Sequence, residues 1–119
     1  SLHDALPICV ELLGVRENVN QFMMAADCLL FPSIFEGLGI VAVEAQTSGM
    51  LTIVSNNIPV EANISSLFHQ LPLDVEKWVS EVEYLLEYER GKENVASQSG
   101  YDVKETASWL QNFYLENFL

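Results

Sequence analysis

Residues 31–49 read FPSIFEGLGIVAVEAQTSG, from Phe31 to Gly49. The run Cys28 to Phe31 is continuously apolar and closes on Pro32 and Ser33, the pattern of a strand buried on both faces. Ser33 to Leu38 reads as a loop. Gly39 to Thr47 then reads as a helix, with Ser48 and Gly49 as its stop signal. A buried strand, a glycine-bearing loop and a helix in that order form the repeating unit of an α/β fold.

Outward from this unit the pattern repeats. Leu51 to Val54 is another continuous apolar run, followed by the turn cluster Ser55, Asn56, Asn57 before Pro59. Upstream, Cys9 to Leu13 ends in Gly14 and predicts a first strand. Asn18 with Gln21 forms a capping-box pattern for a helix bearing Val19, Phe22, Met23 and Ala26, which stops near Asp27. The first half therefore predicts strand, helix, strand, helix, strand, with right-handed crossovers and a parallel sheet. Such a sheet of three strands is thin. Its edges and one face are expected to be bare, to limit solubility, and to call for further strands upstream.

The second half predicts helices. Asp74 is placed to cap one running to about Tyr88, with Trp78, Val82, Leu85 and Leu86 on one face. Gly91 to Gly100 reads as a polar linker. Asp102 and Glu105 make a second capping box before a helix carrying Ala107, Leu110, Phe113 and Tyr114, with Trp109 flanking. Residues 1–8, SLHDALPI, begin without Met and in mid-pattern, and are set aside as a possible non-native lead-in.

Composition narrows the functional classes. The chain has 119 residues, half of them apolar, which suits one domain with a core. Its 5 basic and 17 acidic residues give a net charge of −12, which argues against nucleic acid and anionic lipid as partners. No apolar run approaches the roughly 18 residues needed to cross a bilayer. Cys9 and Cys28 lie in no CxxC pair and near no His, so two small buried thiols in a reduced cytoplasmic protein are expected. His69 stands without ligand spacing and reads as structural. Met23 and Met24 read as core filler, and Trp78 and Trp109 as packing residues. No Gly-x-Ser-x-Gly elbow surrounds Ser33, Ser48 or Ser55.

The loop Glu36-Gly37-Leu38-Gly39 sits where α/β sheets bind ligands, at the carboxyl end of a strand and the start of a helix. Gly37 and Gly39 let ligand oxygens approach the backbone, and the first helical turn favours phosphate. Glu44 lies about a turn and a half into the helix, where a carboxylate can accept hydrogen bonds from the vicinal hydroxyls of a ribose. Glu36, in the loop, suits hydroxyls beyond the phosphates. The third glycine of the dinucleotide fingerprint is absent. Spacing alone leaves an ordinary strand-to-helix turn with a solvated Glu44 equally open.

Two glutamates separated by seven residues on a strand-loop-helix resemble the signature of the retaining GT-B glycosyltransferases of family 4, the group 1 glycosyl transferases. The flanks resemble the family too: Leu13-Gly14-Val15-Arg16, Ala25-Ala26-Asp27, Phe31-Pro32-Ser33, Glu44-Ala45-Gln46 and Ser48-Gly49. Gly100-Tyr101-Asp102-Val103 and Tyr114 resemble the end of capsular and exopolysaccharide enzymes, so the resemblance covers nearly all of residues 9–115. It implies that residues 9–119 form a truncated nucleotide-sugar-binding C-terminal domain of a GT-B fold, a partial Rossmann-like sheet with C-terminal helices. In that domain Glu44 would bind the ribose, and the backbone of Leu38, Gly39 and Ile40 the diphosphate. Glu36 would meet the donor hexose as the catalytic-site carboxylate, beside Gly37, and Gly14 to Arg16 would edge the base. The donor would be a UDP- or GDP-sugar, with no cofactor and no metal. The product would be a glycan or lipid-linked acceptor extended with retention, in the cytoplasm or at the inner face of the membrane.

The resemblance also marks what this chain lacks. The acceptor domain and the Arg and Lys that neutralise a departing diphosphate lie in no part of it, and among its basic residues Arg16 alone falls near the expected site. The chain by itself is therefore expected to transfer no sugar. Two other readings stand beside this one. The chain is a non-catalytic module that holds a nucleotide diphosphate, or it belongs to an epimerase or phosphorylase of the same architecture. The last would need acid-base residues or a pyridoxal-binding Lys that no basic residue here is well set to supply.

Overall fold

A computed structural model describes residues 9–85 and 100–118. Its centre is a three-stranded parallel sheet in the order β1 (Cys28–Phe31), β2 (Leu51–Ser55), β3 (Phe68–Leu71). Helix α1 (Val19–Ala25) precedes β1, α2 (Ile40–Thr47) joins β1 to β2, and a short 3-10 turn (Val60–Ala62) joins β2 to β3. Helices α3 (Val75–Tyr84) and α4 (Val103–Phe118) follow. This is a partial Rossmann-like α/β arrangement.

The strand register divides the side chains between two faces. Leu29, Phe31, Thr52, Val54 and Phe68 share one, because Leu29 pairs with Thr52, Phe31 with Val54, and Thr52 with Phe68. Helix α2 packs there. Its Ala42 and Val43 join Val54, Ile58, Ala62 and Phe68 in one core cluster, and Ala45 joins Met23 and Met50 in another. Two alanines on the inward side of α2, both fully buried, let its backbone lie close to the sheet. All five residues of β2 are buried, as befits a central strand covered on both faces.

Helix α3 lies against the opposite face. Asp74 caps it by accepting from the Lys77 N–H at 3.3 Å, and the Trp78 indole donates to the Pro72 carbonyl at 2.8 Å. His69 on β3 meets Glu81 on α3, Nδ1 to Oε1, at 2.9 Å. No residue of α3 is fully buried. Between it and β1 runs an apolar groove of about 540 Å3, lined by Leu30, Pro32, Leu73, Trp78, Val79 and their neighbours.

Several expectations are corrected. Cys9 to Leu13 forms no strand; it is irregular and exposed. A strand needs a ladder of hydrogen bonds, and β1 pairs with β2 alone among the described residues. The third strand is instead β3, whose sequence Phe-His-Gln-Leu alternates weakly. Asn18 starts α1 without capping it through its side chain; its amide donates to the Gln21 side-chain oxygen at 3.0 Å instead. Met23 is buried as expected, but Met24 is 66% exposed. Helix α3 ends at Tyr84; residues 86–88 of the longer helix, most of the polar linker and the lead-in 1–8 lie outside the described residues. Asp102 accepts from the Lys104 N–H at 2.9 Å at the start of α4. On α4, Trp109 stacks on Phe113 with ring centroids 5.5 Å apart, and both remain exposed.

The cysteines differ as well. Cys9 is exposed rather than buried, and Cys28 is half-buried at the start of β1. Burial, with Asp27 adding to it, raises the Cys28 thiol above its ordinary pKa against a lowering contribution from the Ile53 backbone. Since the thiolate is the nucleophile, iodoacetamide at neutral pH should label Cys9 first and Cys28 only on unfolding. Peptide mass mapping reads the order, and equal labelling in the native state would contradict it. The same shift has a stability consequence: the contribution of a neutral Cys28 is complete below the free thiol's pKa and is lost as pH rises through the folded one.

Candidate functional site

The loops that follow the strands converge at the carboxyl edge of the sheet. After β1, Pro32 and Ser33 lead to Glu36, Gly37, Leu38 and Gly39. Gly39 is the N-cap of α2 and adopts the left-handed conformation, with φ 80 and ψ 55. An added Cβ there would meet Ile58 Cγ2 and Phe31 Cε1, each at 3.4 Å. Those are ordinary contacts, so it is the backbone angle that calls for glycine here. Gly37 differs: its φ is not positive and a Cβ would meet nothing within 4 Å.

As an N-cap, Gly39 has no side chain to satisfy the first N–H groups of α2. The Ala42 N–H donates to the Gly39 carbonyl at 2.9 Å, while the N–H groups of Ile40 and Val41 before it have no partner inside the helix, and the helix dipole adds to their attraction for an anion. Leu38 is half-buried against the core and Gly39 is buried, while Gly37 and Ile40 on either side of them are exposed to solvent. Glu44 is exposed about 6 Å along the axis beyond Ile40. Glu36 is half-buried, and its Oε1 accepts a hydrogen bond from the Ser33 hydroxyl at 3.0 Å.

Gln46 was missed as a functional anchor, although it sits beside Glu44. It is 1% exposed and all four of its hydrogen-bonding positions are used. Its Nε2 donates to the Ala42 carbonyl at 2.9 Å and the Ala62 carbonyl at 2.7 Å. Its Oε1 accepts from the Ile64 N–H at 3.1 Å and the Ser65 hydroxyl at 2.9 Å. One side chain therefore clamps α2 to the segment that leads into β3.

Gly14, Val15 and Arg16 lie in an exposed loop before α1, with Gly14 left-handed at φ 67. The Arg16 Nε donates to the Leu13 carbonyl at 2.9 Å, which folds its guanidinium onto its own loop. Among the described residues no hydrogen bond joins this loop to residues 36–44. The apolar groove beneath α3 is also separate: none of Glu36 to Ile40, nor Glu44, lines it. Asp74 and Glu83 belong to its lining, but the surface presented to the groove is almost wholly apolar and offers little to hold a phosphate or sugar, so the candidate site is the carboxyl edge.

Comparison with known proteins decides the family. The model of the family described as glycosyl transferases group 1 matches residues 6–102. The chain belongs to this family. Glu36, Glu44 and the left-handed Gly39 between them all fall within the matched span of this glycosyl transferase group 1 chain. EpsF of Bacillus subtilis (strain 168), which carries a glycosyltransferase name, is 32% identical over 114 residues, covering 88% of this chain and 29% of its own length. A second relative is the UDP-Gal:alpha-D-GlcNAc-diphosphoundecaprenol alpha-1,3-galactosyltransferase of Escherichia coli. It is 40% identical over 45 residues, covering 38% of this chain and 12% of that enzyme. The chain thus spans less than a third of the length of either relative. No solved structure matches it. Among the described residues, no helix is long and apolar enough to cross a membrane.

Proposed function

We propose that this group 1 glycosyl transferase chain supplies the donor half of a hexosyl-transfer site and binds a UDP- or GDP-sugar at the helix entrance of α2. The observation that carries this is the left-handed Gly39, which opens an uncapped helix N-terminus between one half-buried and one exposed carboxylate. The diphosphate lies against the backbone of Leu38, Gly39 and Ile40. Glu44 accepts from the ribose hydroxyls, Glu36 accepts from a hydroxyl of the hexose, and the Gly14–Arg16 loop borders the base.

The transfer step retains configuration at the anomeric carbon and extends a glycan or lipid-linked acceptor. Loss of a diphosphate builds negative charge that calls for cations. The cations and the acceptor site come from residues beyond this chain, in a parent acting on surface polysaccharide. A nucleotide-binding module without catalysis is the same reading applied to this chain alone.

Amide shift mapping tests the location. Adding UDP, and separately GDP, should move the signals of Gly37 to Ile40 and of Glu44, while the Trp78 indole in the apolar groove stays still. Movement of Trp78 with silence at the helix entrance would overturn the proposal.

A further inference from the structure

Glu36 is held in an unusual way for a half-buried carboxylate. Among the described residues no cation pairs with it, and its fixed partner is a neutral hydroxyl. The Ser33 Oγ lies 3.0 Å from Glu36 Oε1 and 3.1 Å from the Phe35 carbonyl, so its single proton has two acceptors in reach. A hydrogen bond to an ionised oxygen is about twice as strong as one to a neutral oxygen, which favours the carboxylate.

Ser33 is itself tied down from the neighbouring strand. Ser55, the last residue of β2 and fully buried, donates through its hydroxyl to the Ser33 carbonyl. The Ser55 Oγ in turn accepts from the Asn57 N–H at 3.3 Å. A chain of hydrogen bonds therefore runs from the start of the loop after β2, through the end of that strand, across to the loop after β1, and ends on one carboxylate oxygen. The other oxygen of Glu36 has no partner among the described residues. A carboxylate fixed at one oxygen by a hydroxyl, rather than neutralised by an ammonium or guanidinium group, keeps its second oxygen as an acceptor for a ligand hydroxyl.

We propose that Ser33 and Ser55 are positioning residues that aim Glu36 at a hydroxyl of the donor hexose. The pair acts through Glu36 and touches no ligand itself. It rests on the donor-site reading above, and it predicts that the two serines govern affinity for the sugar and leave affinity for the nucleotide alone.

The test is a set of calorimetric titrations of the chain with UDP, UDP-glucose, UDP-galactose, GDP and GDP-mannose. For each base the readout is the gain in affinity of the sugar nucleotide over its bare diphosphate. Ser33→Ala should cut the gain by roughly three- to tenfold while leaving the diphosphate affinity in place. Ser33→Thr, which retains the hydroxyl, should keep the gain, and Ser55→Ala should reduce it in the same direction. Ser33→Cys keeps the side-chain size with only a weak donor, and repeats the measurement should the alanine variant fail to fold. Glu36→Ala separates the two claims. If it abolishes the gain and Ser33→Ala and Ser33→Cys do not, the positioning proposal is wrong and the donor site stands. If wild type shows no gain for any of the sugars, or Glu36→Ala leaves the gain intact, the role of Glu36 falls and the positioning proposal with it.

Discussion

Gln46→Leu should destabilise the fold by about 2–4 kcal/mol. Leucine fills a similar volume and supplies no hydrogen bond. The Ala62 carbonyl and the Ile64 N–H would each lose the partner that Gln46 now provides. An unsatisfied buried polar group costs about 1–3 kcal/mol, and a domain of this size holds only about 5–15 kcal/mol in reserve. Gln46→Glu should also be costly, because it removes the donor facing two carbonyls and adds a charge to a site only 1% exposed. Urea unfolding followed by circular dichroism measures both. An unchanged midpoint for the leucine variant would show that the clamp contributes little.

Gly39→Ala should damage folding and ligand binding together. A non-glycine residue at φ 80 bears a backbone penalty of about 1–2 kcal/mol, while the new Cβ would reach Ile58 and Phe31 only at contact distance. Relief by shifting the loop would move the helix entrance, so nucleotide binding should fall even where the variant folds. Gly37→Ala is the control, since its backbone angle is ordinary and the space around it is open. It should change stability by less than about 0.5 kcal/mol. Equal midpoints for the two alanine variants would refute the claim that Gly39 is the glycine the site needs.

The contrast between these glycines shows what local sequence can and cannot convey. Strand β1, helix α2 and strand β2 are legible because each is set by contiguous residues: two continuous apolar runs, and between them a helix with alanines on its inner side. The strand-loop-helix that carries the candidate site is legible for the same reason, since Glu36, Gly37, Gly39 and Glu44 lie within nine residues of one another. Strand β3 is not, because His69 and Gln70 make it look polar. Their side chains are satisfied by Glu81 and by the Ile58 carbonyl, 12 residues away in each case. The stretch Cys9 to Leu13 has a strand's composition without a neighbour to pair with, and pairing is a property of the whole sheet. Gln46 and Ser55 are silent for a related reason. Their bonds reach 16 to 22 residues along the chain, to partners that spacing alone does not reveal.

The relatives sharpen the same boundary. Membership of the glycosyl transferases group 1 follows from the match over residues 6–102, while the chain spans only 29% of the length of EpsF, and the match itself names no donor, acceptor or bond formed. What this chain can be asked directly is whether its helix entrance grips a nucleotide.

Calorimetric titration of UDP and GDP into wild type and Glu44→Ala asks that question most directly. If the carboxylate of Glu44 holds the ribose, wild type binds at least one of the two diphosphates, and the variant binds it roughly ten- to a hundredfold more weakly at unchanged stability. Equal affinity of the two proteins, or no binding of either diphosphate by wild type, would contradict the account.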